Sequence, residues 1–274
     1  MGVEKAPVEI YQSPRLRNSS LLVLWQNQDV GKLTSRVADV LKEKLGGKEI
    51  SEIKPSGFFT FGGVGFKNDL VRMPQSKFWA FEKQNLLIFK SDEPEFEHYH
   101  FLNTLLDVSK DHDQIKELYT LNAFPSLTAH TRPRRILAVF NQSDLRERCE
   151  REGLEPLTWE GPPALSSYLL WVGQRKEVPG VSLWLEIPFY LSACGDPQAV
   201  QSTLSFLDKR FHLDLERGTM DPEIEELNEK IAQLRKENLE MDRYLTLLET
   251  GLGLEEEEQL KLAKEVYDVL EKRA

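Results

Sequence analysis

The residues best equipped for chemistry are crowded into Ala129-His130-Thr131-Arg132-Pro133-Arg134-Arg135, three guanidinium groups and an imidazole within seven positions. Guanidinium forks hold carboxylates and phosphates bidentately, so this segment suits either an anionic ligand or the acidic side chains of a partner subunit. It leads into the amino end of a strand, although it also follows the strand that ends near Ala123. Ligands of open α/β sheets generally sit beyond the strands' carboxyl ends, which favours the structural or interface reading. His98-Tyr99-His100 offers two imidazoles beside Glu93, Glu95 and Glu97, but on a helix an i,i+2 pair faces two ways and no metal site is expected. Gly62-Gly63-Val64-Gly65 lacks dinucleotide-fingerprint spacing and reads as a turn between aromatics. The chain has no P-loop, GxSxG elbow, HExxH or paired CxxC, so no catalytic residue and no cofactor are assigned. Cys149 and Cys194 have no metal-type spacing and read as free, mostly buried thiols.

The elements that must position these groups alternate between strand and helix. Ser20 to Trp25 and Asn85 to Phe89 are continuous apolar runs of strand length, the pattern of strands buried on both faces. Each is followed by a helical pattern, Val30 to Leu45 and then Phe101 to Val108. Strands follow over Leu118–Ala123, Ile136–Phe140 and Val181–Ile187, and helices over Leu145–Gly153 and Leu165–Val172. Asp196-Pro197 supplies an N-cap and first-turn pair for a helix with Val200, Leu204, Leu207 and Phe211 on one face. This alternation predicts an α/β domain over residues 1–215 with a mostly parallel sheet, interrupted by long connections around Gly57 to Gly65 and Pro125 to Arg135.

The 274 residues carry 45 Asp and Glu against 35 Lys and Arg, a net charge of −10. Residues 216–274 hold a balance of −8 and the preceding 215 a balance of only −2, so the acidity belongs to a C-terminal extension. An acidic balance argues against wholesale binding to the nucleic-acid backbone, and no run of about 18 apolar residues offers a membrane span. Prolines and charges occupy Met1 to Arg17 where a secretory apolar stretch would lie, and the expectation is a cytoplasmic protein.

In residues 216–274, Ile224, Leu227, Ile231, Leu234, Asn238, Met241, Leu245 and Leu248 follow a three-then-four spacing, a heptad seam over residues 222–249. A parallel pair of such helices would set Lys230 beside Arg235 and Glu237 beside Asp242, which repel. An antiparallel pair would set Lys230 beside Glu237 and Arg235 beside Asp242, which attract. The seam therefore predicts a coiled-coil-like oligomerisation helix with an antiparallel mate. Packing on the domain, or on the chain's own last helix at Leu254 to Lys272, competes with that reading.

Five short motifs occur in a telling order. They are Asp29-Val30-Gly31, Glu93-Pro94, His130-Thr131-Arg132-Pro133, Trp159-Glu160-Gly161-Pro162, and Ser182-Leu183-Trp184 with Ile187-Pro188-Phe189-Tyr190. Together they resemble the proteasome assembly chaperone type 2 family, in particular its prokaryotic members, over about Leu21 to Leu248. The resemblance implies a three-layer α/β fold similar to purine nucleoside phosphorylases, followed by C-terminal helices, usually in a homo-oligomer. It makes Asp29, Gly31, Glu93, Pro94, His130, Thr131, Arg132, Pro133, Glu160, Gly161, Pro188 and Tyr190 the candidate ligand or interface residues. The function it implies is non-enzymatic: an assembly chaperone or scaffold whose partners are its own copies and a protein complex under assembly. Archaeal members carry a hydrophobic-Tyr-any tail, whereas here Val266-Tyr267-Asp268 falls within a predicted helix. The competing class is an enzyme of nucleoside phosphorylase or carboxylate-amine ligase type acting on an anionic small molecule. It requires Asp29, Glu93, His130 and Arg132 to converge in one pocket.

Overall fold

The structure is a computed structural model that describes residues 8–26, 29–60, 65–67, 70–151, 154–158 and 164–271. Among these residues the chain forms eleven strands and eight α-helices. The strands are β1 (Val8–Ile10), β2 (Ser19–Trp25), β3 (Lys48–Ile53), β4 (Gly65–Lys67), β5 (Leu70–Arg72), β6 (Ser76–Phe81), β7 (Leu86–Ser91), β8 (Ile115–Ser126), β9 (Ile136–Phe140), β10 (Glu155–Pro156) and β11 (Gly180–Pro188). The helices are α1 (Leu33–Leu45), α2 (His98–His112), α3 (Ser143–Arg151), α4 (Leu165–Arg175), α5 (Pro197–Phe211), α6 (Asp221–Glu237), α7 (Leu239–Glu249) and α8 (Glu256–Glu271). Nine strands make one sheet in the order β1-β3-β6-β7-β2-β8-β11-β9-β10, and β4 and β5 form a separate hairpin. Among the described residues, no helix is long and apolar enough to cross a membrane.

The sheet is mixed, which corrects the expectation of a mostly parallel one. β2 runs parallel to both β7 and β8, but β1, β3, β6 and β7 pair antiparallel in succession. The reason lies in β3 and β6, strands whose polar residues interrupt the apolar run that betrays a strand covered on both faces. β6 alternates buried and half-buried positions along Ser76-Lys77-Phe78-Trp79-Ala80, the half-covered pattern of an antiparallel strand.

The chain divides into two compact units. The first consists of residues 1–28, 38–121 and 138–183. Its core gathers Leu21, Val23 and Trp25 of β2 with Leu87 and Phe89 of β7, Phe78 and Ala80 of β6, and the inward faces of α2 and α4. Aromatic edges interlock there: Trp25 meets Phe89 and Phe101 at centroid distances of 6.2 and 6.5 Å, and Phe78 meets Phe89 at 4.5 Å. The Trp25 indole N–H donates to Ser166 Oγ of α4 at 3.1 Å, so this deep ring has a polar partner.

The second unit consists of residues 29–37, 122–137 and 184–274. Its helices start where local chemistry dictates. Asp196 caps α5 by accepting from Ala199 N, with Pro197 in the first turn. α6 opens with Pro222 in its first turn, acidic Asp221 and Glu223 beside the positive end of its dipole, and Arg235 and Lys236 in its last turn.

The heptad seam does not run through one helix over 222–249. The backbone is extended at Asn238, whose side chain accepts from the amides of Glu240 and Met241 and caps a new helix, α7. α6 packs on α5, α7 and α8 of the same chain. Ile231, Leu234, Met241, Leu245 and Leu248 are buried within the chain, with Ile224, Leu227 and Asn238 half-buried. Arg235 does meet Asp242, at 2.7 Å, but within one chain. Lys230 instead pairs with Glu226 at 2.7 Å, and Glu237 accepts from Gln233. The four charges are thus engaged within the chain, Arg235 with Asp242 across the turn at Asn238, and Lys230 and Glu237 along α6.

A direct check is Asn238→Ala. In a continuous helix alanine raises stability, because its helix propensity exceeds that of asparagine. At a capping position it removes the Oδ1 that accepts from the Glu240 and Met241 amides and lowers the thermal midpoint, at a cost of about 1 kcal/mol by differential scanning calorimetry.

Candidate functional site

The candidate residues of the second unit fall on three segments: the turn before α1, the connection between β8 and β9, and the turn after β11. Asp29 opens the first. Its carboxylate accepts from Thr34 N at 2.6 Å, Thr34 Oγ1 at 2.7 Å and Ser35 N at 3.1 Å, so it ties off the free amides at the start of α1. Between them Val30 to Lys32 make a 3₁₀ turn with buried Gly31 at φ +65°. A Cβ at Gly31 would lie 3.1 Å from Ile187 Cγ2, so both the backbone conformation and the space call for glycine. Gly31 N donates to Ser192 O at 2.7 Å and Gly31 O accepts from Asp196 N at 3.0 Å, stitching this turn to the one after β11.

Arg134 and Asp196 form the centre. Arg134 Nε lies 2.6 Å from Asp196 Oδ2 and its Nη2 3.3 Å from Oδ1, with both side chains 1% exposed. The remaining guanidinium protons go to backbone carbonyls of the same connection, Arg132 O at 2.5 Å, Ala129 O at 3.4 Å and His130 O at 3.3 Å. Asp196 Oδ1 also accepts from Ala199 N at 3.1 Å. One ion pair therefore closes the 129–134 connection on itself and onto the start of α5.

His130 is buried beside this pair. Tyr190 Oη accepts from His130 N at 2.6 Å and lies 2.9 Å from His130 Nδ1, so the phenol binds both the backbone and the ring. Burial lowers the imidazole pKa from 6.5 to about 4, opposed by Glu249 and reinforced by Arg134 and Arg235. Burial also pushes the Tyr190 phenol above its ordinary value. Both groups are neutral near pH 7, which suits the phenol as donor to Nδ1.

The other residues of the motif turn outward. Arg132 Nη2 donates to Glu249 O at 2.5 Å and Thr131 Oγ1 to Glu249 Oε1 at 3.4 Å, so the connection docks on the end of α7. Glu249 is held in turn by Arg235 at 2.8 Å, which also reaches Asp242 and Thr246. Arg135 pairs with Glu186 at 3.2 Å, and Pro133 is exposed. A cavity of about 410 Å³ is lined by His130, Thr131, Gln198, Ile224, Asn228, Ala232 and Arg235. Neither Asp29 nor Arg132 lines it. Asp29, His130 and Arg132 thus hold three separate contacts, with the α1 amides, Tyr190 and Glu249.

Pro188 ends β11 and directs the chain into the Phe189–Leu191 turn that carries Tyr190 and packs on α8. Glu93 and Pro94 belong to the first unit; Glu93 is half-buried, with its pKa raised by burial against the opposing effect of His98. Glu160 and Gly161 lie outside the described residues. Sequence reasoning missed Asp196 as the partner of Arg134, and Glu249 and Arg235 as the groups beneath Thr131 and Arg132. The available signal was the Asp196-Pro197 cap: a buried capping carboxylate still needs a cation, and the arginine cluster is the nearest supply of them in type.

This combination of a mixed α/β sheet, a glycine turn stitched to the helix cap, and an arginine-closed connection defines a class of α/β protein rather than a reaction. A family model for the PAC2 family matches residues 27–235. The chain belongs to the PAC2 family, the one its motifs resemble. Solved structures share the fold, among them the following three. A Mycobacterium tuberculosis protein of unknown function aligns at 19% identity over 91% of this chain and 92% of its own, with a TM-score of 0.77. A Mycobacterium tuberculosis proteasome-assembly chaperone homologue aligns at 17% identity, over 83% and 99%, with a TM-score of 0.70. Pyrococcus furiosus PbaB, an archaeal proteasome activator, aligns at 20% identity, over 85% and 100%, with a TM-score of 0.69. No curated protein sequence matches the chain.

Two outcomes follow from the buried pair and its neighbour. Arg134→Met leaves the Asp196 charge without its cation and costs about 3–5 kcal/mol in chemical denaturation, whereas Arg134→Met with Asp196→Asn recovers part of that loss. His130 binds a proton more weakly folded than unfolded, so its contribution is lost as pH falls from 6.5 towards about 4. The loss amounts to at most about 3 kcal/mol. In His130→Asn the same titration of stability is flatter through this window.

Proposed function

We propose that the chain is a non-enzymatic assembly chaperone or scaffold that self-associates and binds subunits of a protein complex in the cytoplasm, without a cofactor. The observation that carries this reading is the PAC2 match across residues 27–235. Relatives of the same fold include a proteasome-assembly chaperone homologue and a proteasome activator, which makes proteasome subunits the first partners to try. The arginine-rich connection supports it in a second way. Arg134 and Arg132 are spent on closing the loop and docking it to α7, so the motif serves as a shaped, rigid surface. Rigid surfaces lose little entropy on association, which is what a chaperone that holds partly assembled subunits requires.

Native mass spectrometry tests this with the full chain and separately produced proteasome subunits from the same organism. The expected result is a stoichiometric complex containing at least two copies of this chain and one or more subunits. A chain that stays monomeric and leaves the subunits' assembly unchanged contradicts the reading.

A further inference from the structure

The first unit carries an exposed aromatic cluster that its core does not use. α4 buries Ser166, Leu169, Leu170, Val172 and Gly173, and turns the stripe Tyr168, Trp171 and Arg175 outward. Tyr99, at the start of α2, joins this stripe: its ring stacks on Tyr168 at 6.4 Å and lies 6.1 Å from Trp171, while Tyr168 and Trp171 are 5.6 Å apart. The three rings remain 49%, 36% and 42% exposed for Tyr99, Tyr168 and Trp171, and neighbouring Phe96 is 51% exposed. The Arg175 guanidinium lies over the Trp171 ring at 4.6 Å. Clustered Tyr, Trp and Arg are the residues that dominate the centres of protein interfaces.

The charges at the two ends of the cluster say what covers it. α2 and α4 run the same way: their first turns meet through Tyr99 and Tyr168, and Lys176, just after α4, pairs with Asp107 in the later part of α2. At the leading end, exposed Glu95 and Glu97 flank Phe96 and Tyr99. At the trailing end stands exposed Arg175, the one charge within α4, while Asp107 is neutralised by Lys176. A surface with acid at one end, cation at the other and rings between is complementary to itself when turned end for end. That is the requirement of a two-fold interface, in which each patch meets its own image.

We infer that a second copy of this chain covers the α2–α4 face, antiparallel across a two-fold axis, with the rings stacked at the centre and Glu95 and Glu97 of each copy against Arg175 of the other. This inference rests on the self-association proposed above and assigns it to this face, away from the heptad seam of α6 and α7.

Analytical ultracentrifugation of the full chain at micromolar concentration tests it, with circular dichroism confirming that each variant is folded. The wild type sediments as a dimer or a multiple of one, and Trp171→Ala weakens association about 30-fold, as expected of a central anchor. Glu97→Lys and Arg175→Glu each sediment as smaller species, because like charges then meet at both ends of the interface. Mixing the two variants restores the assembly, since attraction returns at both ends only in the mixed pair. An association constant unchanged by Trp171→Ala, or a mixture that stays dissociated, overturns the assignment of this face and leaves self-association standing. A monomeric wild type overturns both, and a partner of another kind captured by this face in that case replaces the second copy.

Discussion

The buried pair of Arg134 and Asp196 is the interaction on which the second unit depends. Withdrawing two charges from water costs several kcal/mol per ion, and only close geometry with every remaining donor satisfied offsets it. Here the guanidinium spends its other protons on three carbonyls of its own connection, and the carboxylate spends its remaining capacity on the first amide-bearing turn of α5. An irregular connection is thereby given a single shape without secondary structure. Asp196 also reaches Gly31 through its backbone amide, so the turn that starts α1 inherits its position from the same residue.

Around that pair the motif residues separate by direction. His130 and Tyr190 point inward and stay neutral, since burial disfavours the imidazolium and the phenolate alike. Thr131 and Arg132 point outward and meet α7 through Glu249, which Arg235 of α6 holds from the other side. The result joins the loop to α6 and α7 by charge-assisted contacts. A group meant for acid–base catalysis at neutral pH needs a pKa near its working pH, and His130 is displaced well below it. Glu249, Glu258 and Glu240 likewise pair within the chain, with Arg235, Arg243 and Lys261.

The parts of the fold that were legible in sequence are those where one physical rule acts alone. β2 and β7 carry unbroken apolar runs, Leu21 to Trp25 and Leu86 to Phe89, because both faces are covered there, and Ile136–Phe140 stands out between loops as β9. Asp196-Pro197 announces α5 because capping is local. β3 and β6 escaped because half-covered strands with Lys and Glu carry a weak alternation, and with them went the antiparallel half of the sheet. The seam over 222–249 shows the limit of periodicity: Asn238 fits a heptad a position and an N-cap equally well, and only the extended backbone decides between them. Arg134 was legible as a cation but not as a buried one. Its neighbours Arg132 and Arg135 are exposed, and no spacing rule separates the three.

Amide hydrogen exchange measured residue by residue on the wild-type chain tests most directly whether the Arg134–Asp196 pair organises these segments into one unit. The account predicts that Gly31, His130, Asp196 and Ala199 amides, each bonded within the network, exchange together and as slowly as the amides of α5. Fast exchange at His130 and Gly31, independent of α5 and typical of open loops, would contradict it.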